Sequence, residues 1–274
     1  MAKSSNRDDY QTISRPVGAM AKEFARGSVS AWHRHPRAQL LYAPVGVMEV
    51  KTGGVSWIAS PHRAVWIPPD CEHEVHFKTA TSVRTFYIAP DAIPVNAPPV
   101  PCTIEVSTLL KELILRAVEM PVEYNVDGRD GQIAALALAE IEWSRARPLK
   151  LPAFTDQRLQ PLHAALAATP ADARTLDQWA SALNMSARTL ARLFQAQVGM
   201  SFTQWRQHMR VLAALPRLAS GEPVTSIAFD LGYDSASAFS AVFRRIMGVV
   251  PSQYYRSHTI GTEFDQDSDL FDGE

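Results

Sequence analysis

The chain has 274 residues, 46% of them hydrophobic and 20% charged, enough for about two domains with real cores. No apolar run approaches the roughly 20 residues that cross a bilayer, the polar start MAKSSNRDDYQTISRP lacks the apolar stretch of a signal peptide, and Cys71 and Cys102 show no CxxC spacing, so membrane, secreted and disulfide-framework classes are excluded in favour of a cytoplasmic protein. The net charge of −1 averages over unlike parts: residues 155–260 hold ten Arg and no Lys against six acids, and the last fourteen residues hold six acids and no base. A basic surface kept for solubility and a polyanion partner are both compatible with that distribution.

In chain order, residues 17–90 alternate in the manner of short strands, at Gln39–Tyr42, Val45–Lys51, Val55–Ala59, Ala64–Ile67, His73–Phe77 and Val83–Ile88. Turn signals such as Gly53-Gly54 and Pro68-Pro69-Asp70 separate them, the pattern of an all-β barrel or sandwich. A Pro-rich stretch, Ala89 to Cys102, closes the region. Ser107–Met120 and Gly131–Trp143 then read as helices, with apolar faces that pack either on the chain's own barrel or on a second copy. Residues 146–154 read as an extended linker, and 155 onward as helices near 156–168, 175–183, 186–198, 201–219, 224–231, 235–246 and 251–256. The expected division is 1–100, a β sensing domain; 101–154, a helical linker and dimerisation segment; 155–258, an all-α domain; and 259–274, an acidic disordered tail.

The helical region contains a weak repeat. Leu176–Trp205 and Val224–Tyr254 align with a constant offset of 49 from Ser186/Ser235 onward, pairing Leu190 with Phe239, Phe194 with Phe243 and Gly199 with Gly248. Each copy is a short helix, a turn at Asn184 or Gly232 suited to positive φ, and a Ser placed to cap a second helix. The outer faces of those second helices carry small or hydrogen-bonding residues, which suits entry into a DNA major groove.

This segment resembles the AraC/XylS family of transcription regulators over roughly residues 157–257, through MSARTLARLF at 185–194, the joining helix WRQHMRVLAALPRLASG and, most closely, IAFDLGYDSASAFSAVFRRIMGVVPSQYYR at 227–256. The resemblance implies tandem helix-turn-helix units whose recognition helices sit about one DNA turn apart, roughly 34 Å. Candidate base-contacting residues are Arg188, Thr189, Arg192, Ser237 and Ser240, and candidate phosphate contacts are Ser186, Gln195, Arg206, Ser235, Arg244 and Arg245. The first unit, richer in long donors, is expected to supply most of the discrimination.

Five of the eight histidines fall between positions 33 and 76. His33-Arg34-His35, Gln39 and Gly46, followed by Pro68-Pro69-Asp70-Cys71-Glu72-His73, resemble the two cupin motifs, with Asp70 where Gly is usual. The resemblance implies a small β-barrel with an inward pocket, in which His33, His35, Gln39 and His73 stand at the positions that hold a divalent metal in metal-bearing cupins; Gln39 replaces the usual Glu. Trp66, with Trp32, Trp57 and Tyr42, is a further candidate for lining an effector pocket or else for the barrel core.

Taken together, the expected fold is α+β and multidomain, a cupin-like β-barrel followed by an all-α tandem helix-turn-helix domain. The expected function is a sequence-specific DNA-binding regulator that answers a small molecule or metal in the barrel. Expected partners are double-stranded DNA, the effector, a second copy of the chain and RNA polymerase. The alternative is a cupin metalloenzyme with a helical appendage; the sequence offers no convincing catalytic constellation for it.

Overall fold

The computed structural model describes residues 3–143, 150–152 and 154–254, with the backbone alone for Lys150–Pro152. The expected acidic tail at 259–274 and the end of the helix expected at 251–256 lie outside the described residues.

The N-terminal part is two five-stranded antiparallel sheets. Strands β1 (Val17–Phe24), β2 (Val29–His33), β3 (Ala38–Val45), β4 (Met48–Thr52), β5 (Val55–Ala59), β6 (Arg63–Ile67), β7 (His73–Phe77), β8 (Thr81–Ile88), β9 (Cys102–Glu105) and β10 (Lys150–Pro152) order as β1-β8-β3-β6-β9 and β10-β5-β4-β7-β2. The strand expected over Val45–Lys51 is broken. Gly46 turns the chain at φ +91°, and a Cβ there would lie 2.4 Å from the Ala80 carbonyl oxygen, so only glycine fits. Of the linker expected over 146–154, Lys150–Pro152 pairs as β10 along β5, and 146–149 lie outside the described residues.

Strand β3 is buried at seven consecutive positions because both of its faces are covered. Leu41 and Ala43 face the core between the sheets with Val65, Ile67 and Phe77, whereas Leu40 and Tyr42 face outward with Trp66 and Phe86. Helices α1 (Thr108–Ala117) and α2 (Arg129–Ala139) cover that outward face through Leu110, Ile114, Ala134 and Ala137. Of the two packings the sequence allowed, the apolar faces of these helices are used on the chain's own barrel. Leu109 and Leu136 remain about half exposed.

The C-terminal part comprises α3 (Gln160–Ala168), α4 (Leu176–Ala182), α5 (Ala187–Val198), α6 (Phe202–Ala219), α7 (Val224–Asp230), α8 (Ala236–Met247) and α9 (Pro251–Tyr254). The repeat seen in the sequence gives two separate small cores. One gathers Leu159, Leu162, Trp179, Leu190, Phe194 and Trp205; the other gathers Ile227, Ala228, Leu231, Phe239, Phe243 and Tyr254. Helix α6 contributes to both, with Phe202, Trp205 and Met209 in the first and Val211, Ala214, Leu215 and Leu218 in the second.

Candidate functional site

Each helix-turn-helix unit is built by local backbone chemistry. Asn184 takes φ +52° in the α4–α5 turn, and Gly232 takes φ +77° in the α7–α8 turn. The Ser186 hydroxyl accepts from the Thr189 N–H at 3.1 Å, and the Ser235 hydroxyl from the Ala238 N–H at 3.1 Å, so both second helices are capped by a side chain. Each of these helices ends on a left-handed glycine, Gly199 or Gly248. A Thr175–Gln178 capping box opens α4.

The outer faces are open. Arg188, Arg192 and Gln195 are exposed on α5 at positions that share one side, with Thr189 half-buried beside them. On α8, Ser237, Arg244 and Arg245 are exposed and Ser240 is half-buried. Among the described residues, Arg188, Arg192 and Arg244 have no carboxylate partner. Other candidates are engaged: Arg245 Nη2 donates to Gln207 Oε1 at 2.6 Å, and Arg206 Nη1 donates to the Arg174 carbonyl at 3.0 Å. The hydroxyls of Ser186 and Ser235 are occupied as caps.

One residue that sequence reasoning missed holds the two units together. Arg210, 7% exposed on α6, donates from Nε to Pro170 O at 2.8 Å, from Nη1 to Gly232 O at 3.1 Å and from Nη2 to Asp172 O at 3.4 Å. The first and third acceptors belong to the loop before α4 and the second to the α7–α8 turn. A Cβ on Gly232 would meet Nη2 at 2.8 Å, so this glycine serves a close approach as well as its φ.

In the barrel, a cavity of about 280 Å³ lies at the end of the sheets near β2, β7 and the N-terminal turn Arg7–Tyr10. His33, His73 and Gln39 line it, together with Tyr87. The rings of His33 and His73 are 4.1 Å apart and those of His35 and His73 are 5.2 Å apart; the three can each offer a nitrogen within 4.8 Å of the others. Asp70 takes φ +56° at the position where the motif usually has Gly. Trp66 is elsewhere. It is 1% exposed on the outward face of β6, stacked edge-on against Trp143 with Nε1–H donating to Pro98 O at 2.9 Å, so it does not line this cavity. The alternation of β6 explains the correction: Val65 and Ile67 point in, which sends Trp66 out. Tyr42 shares that outward face, and Trp32 lies about half exposed along a second cavity, of about 600 Å³, between the barrel and α3 and α6.

The three histidines have the wiring of metal ligands. Nδ1–H donates to a backbone carbonyl in each: Ala31 O at 2.7 Å for His33, Arg37 O at 2.6 Å for His35 and Cys71 O at 2.9 Å for His73. A neutral ring so held carries its lone pair on Nε2; that atom is without a partner in His73, whereas in His35 it lies against Gln39 Oε1. Burial, and with it the positive charge of Arg7, lowers the pKa of all three, His73 to about 3. His73 is 0% exposed and its Nε2 has no hydrogen-bond partner. The Gln39 side chain lies between His35 Nε2 at 3.2 Å and the hydroxyls of Thr85 and Tyr87 at 3.0 and 3.4 Å. These residues fit a divalent metal; among the described residues, none of the strand positions that line the cavity is anionic.

Barrel and helices touch at one end of β5 and β6. Tyr254, 0% exposed, shares a hydrogen bond between its hydroxyl and that of Ser60. His62 Nε2–H donates to Tyr254 O at 2.7 Å, and Arg63 Nη2 to Ile246 O at 3.4 Å. Val47 and Ile58 of the barrel enter the core of the second unit.

Residues 20–114 match the AraC-like ligand binding domain, and residues 179–257 match a helix-turn-helix domain family. The HTH-type transcriptional regulator NimR of Escherichia coli (strain K12) is 31% identical over 222 residues, 81% of this chain and 81% of that protein. The regulator RipA of Corynebacterium glutamicum is 36% identical over 89 residues, 32% of this chain and 27% of that one. A solved structure of the DNA-binding domain of AdpA with a target DNA is 29% identical, covers 38% of this chain and 97% of that one, and superposes with a TM-score of 0.36. The repeat, the capped second helices and the relationship that runs through both halves agree: this chain belongs to the AraC family of helix-turn-helix transcriptional regulators.

Proposed function

We propose that the chain is a one-component cytoplasmic regulator: a ligand in the barrel cavity changes how α5 and α8 engage an operator. The division proposed for it is 1–100 for sensing, 101–154 for connection and dimerisation, and 155–258 for DNA. What carries the reading is the open outer face of α5, where Arg188 and Arg192 stand one turn apart without a carboxylate partner among the described residues. An arginine so presented can read guanine O6 and N7 with both arms, and each good pair is worth roughly 1–3 kcal/mol of discrimination. On α8, Ser237 and Ser240 are short donors, and Arg244 reaches phosphates. Arg206, Arg245 and Gln195, with the caps Ser186 and Ser235, support register on the backbone.

Coupling needs a ligand that favours one docking of the two parts over another. The contacts of Ser60, His62 and Arg63 with Tyr254 and Ile246 are suited to that role, because they join the barrel directly to the second unit. Self-association through α1 and α2 is supported by the exposed Leu109 and Leu136. The test is quantitative binding to the operator and to random DNA at fixed salt. Arg188→Ala and Arg192→Ala should lose mostly operator affinity, and Ser237→Ala less; an equal loss on both DNAs would remove the base-reading assignment.

A further inference from the structure

The barrel lacks an acid among its inward residues, yet one stands at its mouth. Arg7 and Asp8 of the turn Arg7–Tyr10 line the cavity with His33, His73 and Gln39. This turn is held in place on both sides. Asn6 caps it by accepting from the Asp8 N–H at 3.2 Å. Tyr10 is 1% exposed, stacks on Tyr87 and donates its hydroxyl to Ser4 O at 2.8 Å. Behind it, buried Arg37 donates to the Gln11 and Arg15 carbonyls at 3.3 and 2.9 Å. The backbone of this turn is therefore anchored beside the cavity, while the Asp8 side chain is 73% exposed, paired with Arg7 and outside the group formed by the three imidazoles.

The charges around the cluster are arranged for exchange. Arg7 hydrogen-bonds Ser30 Oγ on β2 at 3.3 Å and pairs with Asp8 at 3.5 Å, so a cation already sits beside the imidazoles and a carboxylate already neutralises it. Meanwhile the completely buried Nε2 of His73 faces the cavity with nothing to bond. Leaving such a group unsatisfied is costly, and an electron-pair acceptor is the partner a neutral Nε2 takes.

We propose that Asp8 supplies the carboxylate missing from the strands, completing with the Nε2 atoms of His33, His35 and His73 a site for a divalent transition metal, whose arrival exchanges the Asp8 side chain from Arg7 to the metal while the turn that carries it stays anchored. Three imidazoles and one carboxylate favour zinc, nickel, cobalt or iron over calcium and magnesium, which prefer oxygen. The inference deepens the reading of the barrel as a sensing domain by naming the class of ligand.

The experiment is a Co²⁺ titration of the full-length chain, stripped with chelator, read by visible d–d absorption, with Zn²⁺ binding measured by calorimetry in parallel. One equivalent per chain is expected. Asp8→Asn should weaken binding about tenfold or more, Asp8→Glu should recover most of it, and His33→Gln should weaken it at least as much as Asp8→Asn. Arg7→Gln, which removes the competing cation, should tighten it. Absence of cobalt and zinc binding by the unaltered chain overturns the site, and wild-type affinity in Asp8→Asn overturns the role of Asp8. Because these titrations contain no DNA, failure here with operator binding intact removes the metal and leaves the regulator.

Discussion

Replacing Arg210 by Met tests how the tandem units are held in register. Met keeps most of the aliphatic stem but removes three hydrogen bonds, at 2.8, 3.1 and 3.4 Å, from a residue 7% exposed. Bonds from a charged donor are each worth about 1.5–3 kcal/mol, and the part-buried bonds to the carbonyls of Pro170 and Gly232 would be lost. Against this stands the desolvation that the guanidinium no longer suffers, which offsets a good part of the gain. The balance is a loss of about 2–4 kcal/mol. For a helical domain near 100 residues that corresponds to a fall in melting temperature on the order of 10–20 °C. The affinity consequence is larger than stability alone requires. Arg210 ties the loop before α4 to the turn before α8, so its loss frees one recognition helix to move against the other. Two linked modules that no longer engage together lose the gain of the second contact, which reaches about 10²-fold. The assays are calorimetric melting of the full chain and fluorescence anisotropy on a full operator and on a half-site at a temperature where the variant is folded. The variant should lose far more on the full operator than on the half-site. A melt within a degree or so of wild type, or equal losses on the two DNAs, would refute the reasoning.

Gly232→Ala should destabilise by about 1–3 kcal/mol in chemical denaturation, because it adds strain at φ +77° to a 2.8 Å clash with Arg210. Ser186→Ala should cost about 1 kcal/mol through the lost cap of α5, with the loss read as a lower unfolding midpoint; Ser186→Gly should cost only a few tenths. Tyr254→Phe removes the hydroxyl shared with Ser60 and should leave each part folded while raising protease cleavage between barrel and helices; an unchanged cleavage rate would show that this bond does not hold the docking. Stability should fall on the acid side. Burial lowers the pKa of His62 below 6.5, so the unfolded chain takes up that proton first; the contribution is complete above about pH 7 and is lost as pH falls through 6.5 toward the folded value. His62→Gln should flatten part of the slope of melting temperature between pH 7 and 5.

The sequence by itself determined what depends on neighbours along the chain. Strands and helices follow from period-2 and period-3.6 patterning, and the two units follow from the matched series Ser186/Ser235, Phe194/Phe243 and Gly199/Gly248, because caps, turns and one-sided apolar faces are local chemistry. The histidine trio was legible through its resemblance to the two cupin motifs, which implies that His33 at the end of β2 and His35 just beyond it meet His73 at the start of β7. Tertiary structure alone decided the rest. Trp66 reads in sequence as either a pocket or a core residue, and it is turned to the outer face by the inward placement of Val65 and Ile67, which only packing between the sheets fixes. Arg210 reads as one more cation of a basic helix, and its acceptors lie 22, 38 and 40 residues away. Asp8 lies in a polar leader with no periodicity, brought to the barrel mouth by Tyr10 and Arg37. Such contacts join groups far apart along the backbone, and no local preference encodes which of many distant carbonyls or cavities a side chain will reach.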